Sequence, residues 1–163
     1  MLPGPYNNDV QLVQTRDDVV ILNEMIHDVR IIPMDGRPRV GQSIHLWMGA
    51  SRGHWEGNTL VIDTINFTDE RNFRGSGENL HLVERFTRVD RDTIDYQFTA
   101  EDSTTWTSPW SAAFSMTKIQ GPVYEYACHE GNYASMTGTL SGAREEEKAA
   151  EQAKKNGSKN GSK

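Results

Sequence analysis

Asn79-Leu80-His81-Leu82-Val83-Glu84-Arg85-Phe86-Thr87-Arg88-Val89, then Asp90-Arg91-Asp92, then Thr93-Ile94-Asp95-Tyr96-Gln97-Phe98-Thr99-Ala100: the fold is decided in this stretch. Leu80, Leu82 and Phe86 recur at every second position, with Glu84 in phase between them. Ile94, Tyr96 and Phe98 repeat the pattern. A period of two is that of an extended strand with one face buried. The acidic triplet between the two runs is a turn signal, so the segment reads as an antiparallel hairpin.

The pattern continues outward. Trp110, Ala112, Phe114 and Met116 alternate in the next run, and Gln120-Gly121-Pro122 turns the chain into a further expected strand, Val123 to His129. Four strands joined by short turns make a meander. Upstream, Val10–Thr15, Asp18–Ile26 and Val29–Met34 are rich in Val, Ile and Leu, and Asp35-Gly36-Arg37-Pro38 ends them. Ile44–Met48 is a short apolar run. His54–Glu56 and Thr59–Phe67 flank Gly57-Asn58, two residues that both tolerate positive φ in a hairpin turn. The expectation is an antiparallel up-and-down β-barrel of about eight strands, with a two-sheet β-sandwich as the alternative. The β domain should occupy 1–141. Residues 142–163 read as a charged tail, with a short helix rich in Ala, Glu and Lys and then a repeated Asn-Gly-Ser-Lys.

A chain of 163 residues suits one domain with a real core. Its formal net charge of −6 argues against a nucleic-acid or anionic-membrane partner, because phosphate binding needs a basic surface. Cys128 is the only cysteine, which excludes an internal disulfide and a cysteine zinc cluster. No apolar run approaches membrane-spanning length. Met1 to Tyr6 has neither the basic nor the apolar region of a signal peptide.

Few motifs carry chemistry. Gly49-Ala50-Ser51-Arg52-Gly53 fits G-x-S-x-G, but a nucleophile elbow needs a helix after the serine and a strand pattern follows here. The five histidines contain no His-x-His pair, so a metal site would have to assemble from distant positions. Two carboxylates fall in apolar phase: Glu84, between Leu82 and Phe86, and Glu24, between Leu22 and Ile26. Burial would raise their pKa towards acid/base values; alternatively each forms a structural ion pair, with Arg30, Arg85 or Arg88 as available partners. Trp55, Trp110, Tyr124 and Tyr126 could form a stacking wall for a ligand, or simply pack. The polar loop Asn66–Glu78 is long enough for a lid and equally suits a flexible connection.

Three segments carry a resemblance: Trp47 to Thr64 with its Gly-His-Trp-Glu-Gly-Asn hairpin, Asn79-Leu-His-Leu-Val-Glu-Arg-Phe-Thr-Arg-Val-Asp90, and Tyr124-Glu-Tyr-Ala-Cys-His-Glu-Gly-Asn132. Together they resemble an uncharacterised family of exported bacterial β-rich proteins, common in Acidobacteria and environmental genomes. His54 and Asn58 depart from the Arg and Asp expected there. The resemblance implies a periplasmic or secreted parent, with an export signal and a further segment upstream. It implies no activity and transfers no catalytic residue.

From the residues, the favoured expectation is a small hydrolase acting on an ester or phosphoester. Glu84, His81, His129 and Glu130 would supply acid/base groups at a barrel mouth, with a divalent metal ion as an optional cofactor. His81 and Glu84 are three apart, so a regular strand points them to opposite sides. The alternative is a non-catalytic module that binds a small molecule against Trp55, Trp110, Tyr124 and Tyr126; a third option is a structural or interaction module.

Overall fold

A computed structural model describes residues 9–24, 28–70, 73–124 and 133–160, with side chains as far as 153. Among them are eight strands and one helix: β1 (Val10–Gln14), β2 (Asp18–Asn23), β3 (Val29–Pro33), β4 (Ala50–Glu56), β5 (Thr59–Ile65), β6 (His81–Arg88), β7 (Thr93–Glu101), β8 (Trp110–Thr117) and α1 (Tyr133–Asn160). Residues 1–125 form one compact unit and 126–163 a second.

The strands do not close into a barrel. They form a three-stranded sheet, β1-β2-β3, and a five-stranded sheet, β4-β5-β6-β7-β8, each an antiparallel meander. The architecture is therefore sandwich-like, and the barrel expectation is corrected. The physical reason lies between β3 and β4. Pro33 ends β3, and residues 34–49 form irregular structure instead of a tight turn, so the chain leaves one sheet before starting the other. Ile44–Met48 is not a strand; Leu46 makes only an isolated bridge to Phe67.

Register fixes which side chains face inward. In the large sheet, direct partners build the rows Leu60–Phe86–Tyr96–Phe114, Ile62–Glu84–Phe98–Ala112 and Thr64–Leu82–Ala100–Trp110. In the small sheet the inward rows are Leu12–Ile21–Arg30 and Gln14–Val19–Ile32. Val19, Ile21 and Ile32 meet Leu60, Ile62, Leu80, Phe86, Tyr96, Phe98 and Ala100 in one buried cluster. Burying side chains of this size stabilises by about 1.5–3 kcal/mol each. In β2 the inward set is Val19, Ile21 and Asn23, so the phase that put Leu22 and Glu24 towards a core is corrected. Val19 to Leu22 is apolar on both faces, and a period of two cannot choose between faces when both are apolar.

Two glycines set close approaches. A Cβ on Gly53 would run into Met34 Sδ and lie 2.9 Å from Ile32 Cγ2; its absence lets β3 lie over β4. Gly49 has φ +68, and a Cβ there would lie 2.8 Å from the Ile65 main-chain oxygen. In the β4–β5 hairpin only Gly57 has positive φ, at 61°; Asn58 does not share it, so the turn is not the doubly left-handed one expected. The Asn66–Glu78 loop is pinned by packing: Phe67 and Phe73 lie against the core, and Gly77 N donates to Asp102 at 3.2 Å.

The helix, described by itself, spans 28 residues and starts well before the stretch expected to be helical. Tyr133, Met136 and Leu140 are its large apolar residues. Of the expected Val123–His129 strand, Val123 and Tyr124 have no regular structure and 125–129 lie outside the described residues.

The two glycine environments predict different costs. Gly57→Ala adds backbone strain in open space and should cost about 1–2 kcal/mol. Gly49→Ala adds the same strain and a clash against main chain, and should cost ~3 kcal/mol or more. Urea unfolding midpoints measure both; equal costs would mean that the approach to Ile65 relaxes freely.

Candidate functional site

Strict alternation in β6 carries Glu84 inward with Leu82 and Phe86, and the structure buries it completely. Its partner comes from the other sheet. Arg30, in the apolar run Val29-Arg30-Ile31-Ile32 of β3, donates from Nη1 to Glu84 Oε1 at 3.0 Å and from Nη2 to Oε2 at 2.5 Å. Arg30 Nη2 also donates to Ser51 Oγ and Thr64 Oγ1, both at 3.2 Å. Tyr96 donates its hydroxyl to Glu84 Oε1 at 2.8 Å, and the Ser51 and Thr64 hydroxyls bond each other at 2.9 Å. Arg30 Nε is buried without an acceptor among the described residues.

This is a clamped ion pair. Burial alone would push the Glu84 carboxyl up; the Arg30 charge and hydrogen bonds, with the Tyr96 hydroxyl, outweigh it and hold the group below its ordinary value. Burial lowers and Glu84 raises Arg30, with the net direction upward. Burial and the neighbouring carboxylate push the Tyr96 hydroxyl far up, so it stays a donor. A carboxylate held ionised and filled with donors is a poor proton shuttle. Of the three arginines available to Glu84, the structure selects Arg30, while Arg85 points outward to Glu56 at 2.7 Å. Ser51 lies within β4 with its hydroxyl bonded inside, as the missing elbow context implied. Glu24, by contrast, ends beyond β2, where its Oε2 accepts from Asp9 N at 3.4 Å.

His81 sits on the opposite face of β6, as its spacing from Glu84 required. Its Nε2–H donates to Asp63 Oδ2 at 2.7 Å, and its Nδ1 lies 3.9 Å from Glu101 Oε2. Arg39 donates to Asp63 Oδ1 and to the Asp63 carbonyl. The His81 side chain is 40% exposed. No hydroxyl bonds its ring among the described residues. His129, Glu130 and Tyr126 lie outside the described residues. Among the described residues, no cluster of three His, Cys, Asp or Glu could hold a metal ion.

Trp55 and Trp110 do not share one wall. Trp55 is on β4 and Trp110 on β8, opposite edges of the large sheet and on the order of 19 Å apart at the usual strand spacing. Trp110 packs on Phe73, Phe98 and Trp106, and its indole N–H is buried without an acceptor among the described residues. Tyr124 is 75% exposed.

A cleft of about 600 Å³ opens between the sheets instead. Its accessible floor is Ile94, Phe114 and Met116, with the buried rings of Phe86 and Tyr96 packed beside Phe114, centroids 4.7 and 5.1 Å apart along the row Phe86–Tyr96–Phe114. Val10 and Leu12 of β1 line it from the other sheet. The size and apolar floor are those of small-molecule sites. Phe86, Tyr96, Phe114 and Met116 were legible as core phase. Nothing local marked them as a cleft, because that depends on how far the second sheet extends over them.

Fold and site together define an antiparallel sandwich-like β protein with an intersheet cleft. The chain matches no protein-family model, no curated protein and no solved structure.

The ion pair predicts the behaviour of its variants. Glu84→Gln leaves a buried guanidinium without its counter-charge and should cost about 3–5 kcal/mol. Replacing both partners, Arg30→Met with Glu84→Leu, should cost less than the two single changes summed. Because the folded Glu84 value is depressed, its contribution is present above the ordinary value of 4.5 and is lost as pH falls through the folded one. Wild-type stability should therefore fall more steeply in that acid window than that of the double variant, measured by urea unfolding across pH.

Proposed function

We propose that the protein is a non-catalytic module that binds a small apolar molecule in the intersheet cleft, within the exported parent that the sequence resemblance implies. One observation carries this reading: the convergent titratable group in the core, Glu84, is neutralised by Arg30, while the adjoining cleft is floored by aromatic and aliphatic side chains. A reaction needs a free acid or base beside its substrate, whereas a binding site needs shape and apolar area.

Dodecanol is a suitable neutral probe, with calorimetry as the readout. Phe114→Ala should weaken its binding roughly tenfold, the loss expected from removing an anchor ring. Val13→Ala, on the outward face of β1, should leave binding unchanged. Unchanged binding in Phe114→Ala would place the ligand elsewhere.

A hydrolytic reading retains one favourable observation, the half-exposed His81 held by Asp63 at 2.7 Å. The binding reading predicts that His81→Gln hydrolyses a chromogenic ester no more slowly than wild type. A fall of about a hundredfold or more would make His81 an acid/base group and favour the hydrolase instead.

A further inference from the structure

Four strands end the two sheets, and three of them are protected as edges. β1 and β3 are only five residues long, and β3 ends in Pro33. β4 carries Arg52 and Glu56, and the Arg52 guanidinium holds residues 37–38 beside it through the Arg37 and Pro38 carbonyls. Short length, charge and proline all discourage a further strand from adding to an edge. β8 has none of these. Trp110-Ser-Ala-Ala-Phe-Ser-Met-Thr117 is uncharged and free of proline, and its register to β7 runs without a bulge from Trp110↔Ala100 to Thr117↔Thr93. The Lys118 N–H continues that ladder by donating to Asp92 O at 2.8 Å. Main-chain groups alternate in direction along a strand. Those of Ala112, Phe114 and Met116 therefore face β7, and those of Ser111, Ala113 and Ser115 face the open edge. No strand pairs with that edge among the described residues, and all three of these residues are exposed. After β8 the chain turns to the inner face, where Ile119, Gly121, Pro122 and Val123 line the cleft.

From this geometry we infer that the β8 edge pairs antiparallel with the β8 edge of a second copy of the chain, so that two five-stranded sheets become one continuous sheet. The choice of a second copy follows from the strand's own sequence. A two-fold axis normal to the sheet keeps both inner faces on one side, so it pairs residues of like phase. Centred on Ala113, the axis sets Trp110 against Met116 of the second copy, Ser111 against Ser115, Ala112 against Phe114, and Ala113 against itself. On the inner face the small Ala112 meets the large Phe114, and on the outer face serine meets serine. No charge is brought against another. Ser111, Ala113 and Ser115 then form three bonded pairs with the second copy, each exchanging main-chain hydrogen bonds in both directions. Pro109 ends the ladder, because it has no N–H to give. Centring the axis on Phe114 would instead set Lys118 against Trp110. The dimer also continues the cleft floor, since Phe114 and Met116 gain Ala112 and Trp110 of the second copy as neighbours. The pairing stands independently of what fills the cleft. One strand from each copy makes a small interface, so the dimer is weak.

Sedimentation velocity on the full chain is the test. Wild type should pass from monomer at about 1 μM to dimer at about 500 μM. Ala113→Lys puts a charge on an exposed edge position and sets it ~5.5 Å, Cα to Cα, from its own copy, so the dimer should weaken roughly tenfold or more. Gln97→Lys places the same charge one strand further in, on the β7 partner of Ala113, and should keep the wild-type dimer. In a Cys128→Ser background, Ala113→Cys should form an intermolecular disulfide on mild oxidation, because the bonded pair lies within disulfide reach. Ser115→Cys in the same background should not, since its partner is Ser111. A wild type that stays monomeric throughout overturns the inference and leaves the edge to residues 125–132 or to another protein. A dimer unchanged in Ala113→Lys overturns it as well, and so does one that crosslinks through Ser115→Cys but not through Ala113→Cys.

Discussion

The buried bridge between Arg30 and Glu84 is the contact on which the rest of the structure depends. It joins the two sheets through their inward rows, Leu12–Ile21–Arg30 on one side and Ile62–Glu84–Phe98 on the other. Both charges have left water, and either one alone would cost several kcal/mol. Shifting one sheet over the other by a strand position would separate them and take the Arg30 guanidinium away from the Ser51 and Thr64 hydroxyls as well. Hydrophobic contacts tolerate sliding, since apolar surface is interchangeable. A bidentate guanidinium–carboxylate pair does not, since its geometry has one solution.

The position of the small sheet then shapes the site. Arg30 and Ile32 bring β3 over β4, where the bare backbone of Gly53 admits Ile32 and Met34. Three strands cannot cover five. Ile62, Glu84 and Phe98 are buried beneath the contact, whereas Trp110, Ala112, Phe114 and Met116 on β8 stay half-buried. The cleft is the space left where the inner face of the large sheet runs on beyond good cover, with β1 beside it. Its apolar floor is the same alternation, continued from the core into the rim.

The outer face of the large sheet follows a different logic. His81, Asp63 and Arg39 form a chain of charge-assisted contacts at the surface, where water screens each of them. Glu84 and His81, three residues apart on one strand, therefore live in different dielectric environments. One is locked in a single ionisation state, and the other is open to solvent. They face opposite sides of β6, and a mechanism that needs them together has no place in this sheet.

Some of this was fixed by residues near one another in the chain. The strands β5 to β8, the turns at Gly57 and at Asp90–Asp92, the inward Glu84 and the outward His81 all follow from a period of two and from local turn chemistry. Those patterns need no knowledge of distant partners. Even the choice of Arg30 was within reach, since a lone cation in an apolar strand must find an anion. The tertiary structure decided what local pattern could not. Barrel and sandwich share the same strands and differ only in which edges pair. The phase of β2 was ambiguous because both its faces are apolar. The cleft exists because one sheet is narrower than the other, and that is a relation between residues about eighty positions apart, such as Leu12 and Tyr96, which no local periodicity records.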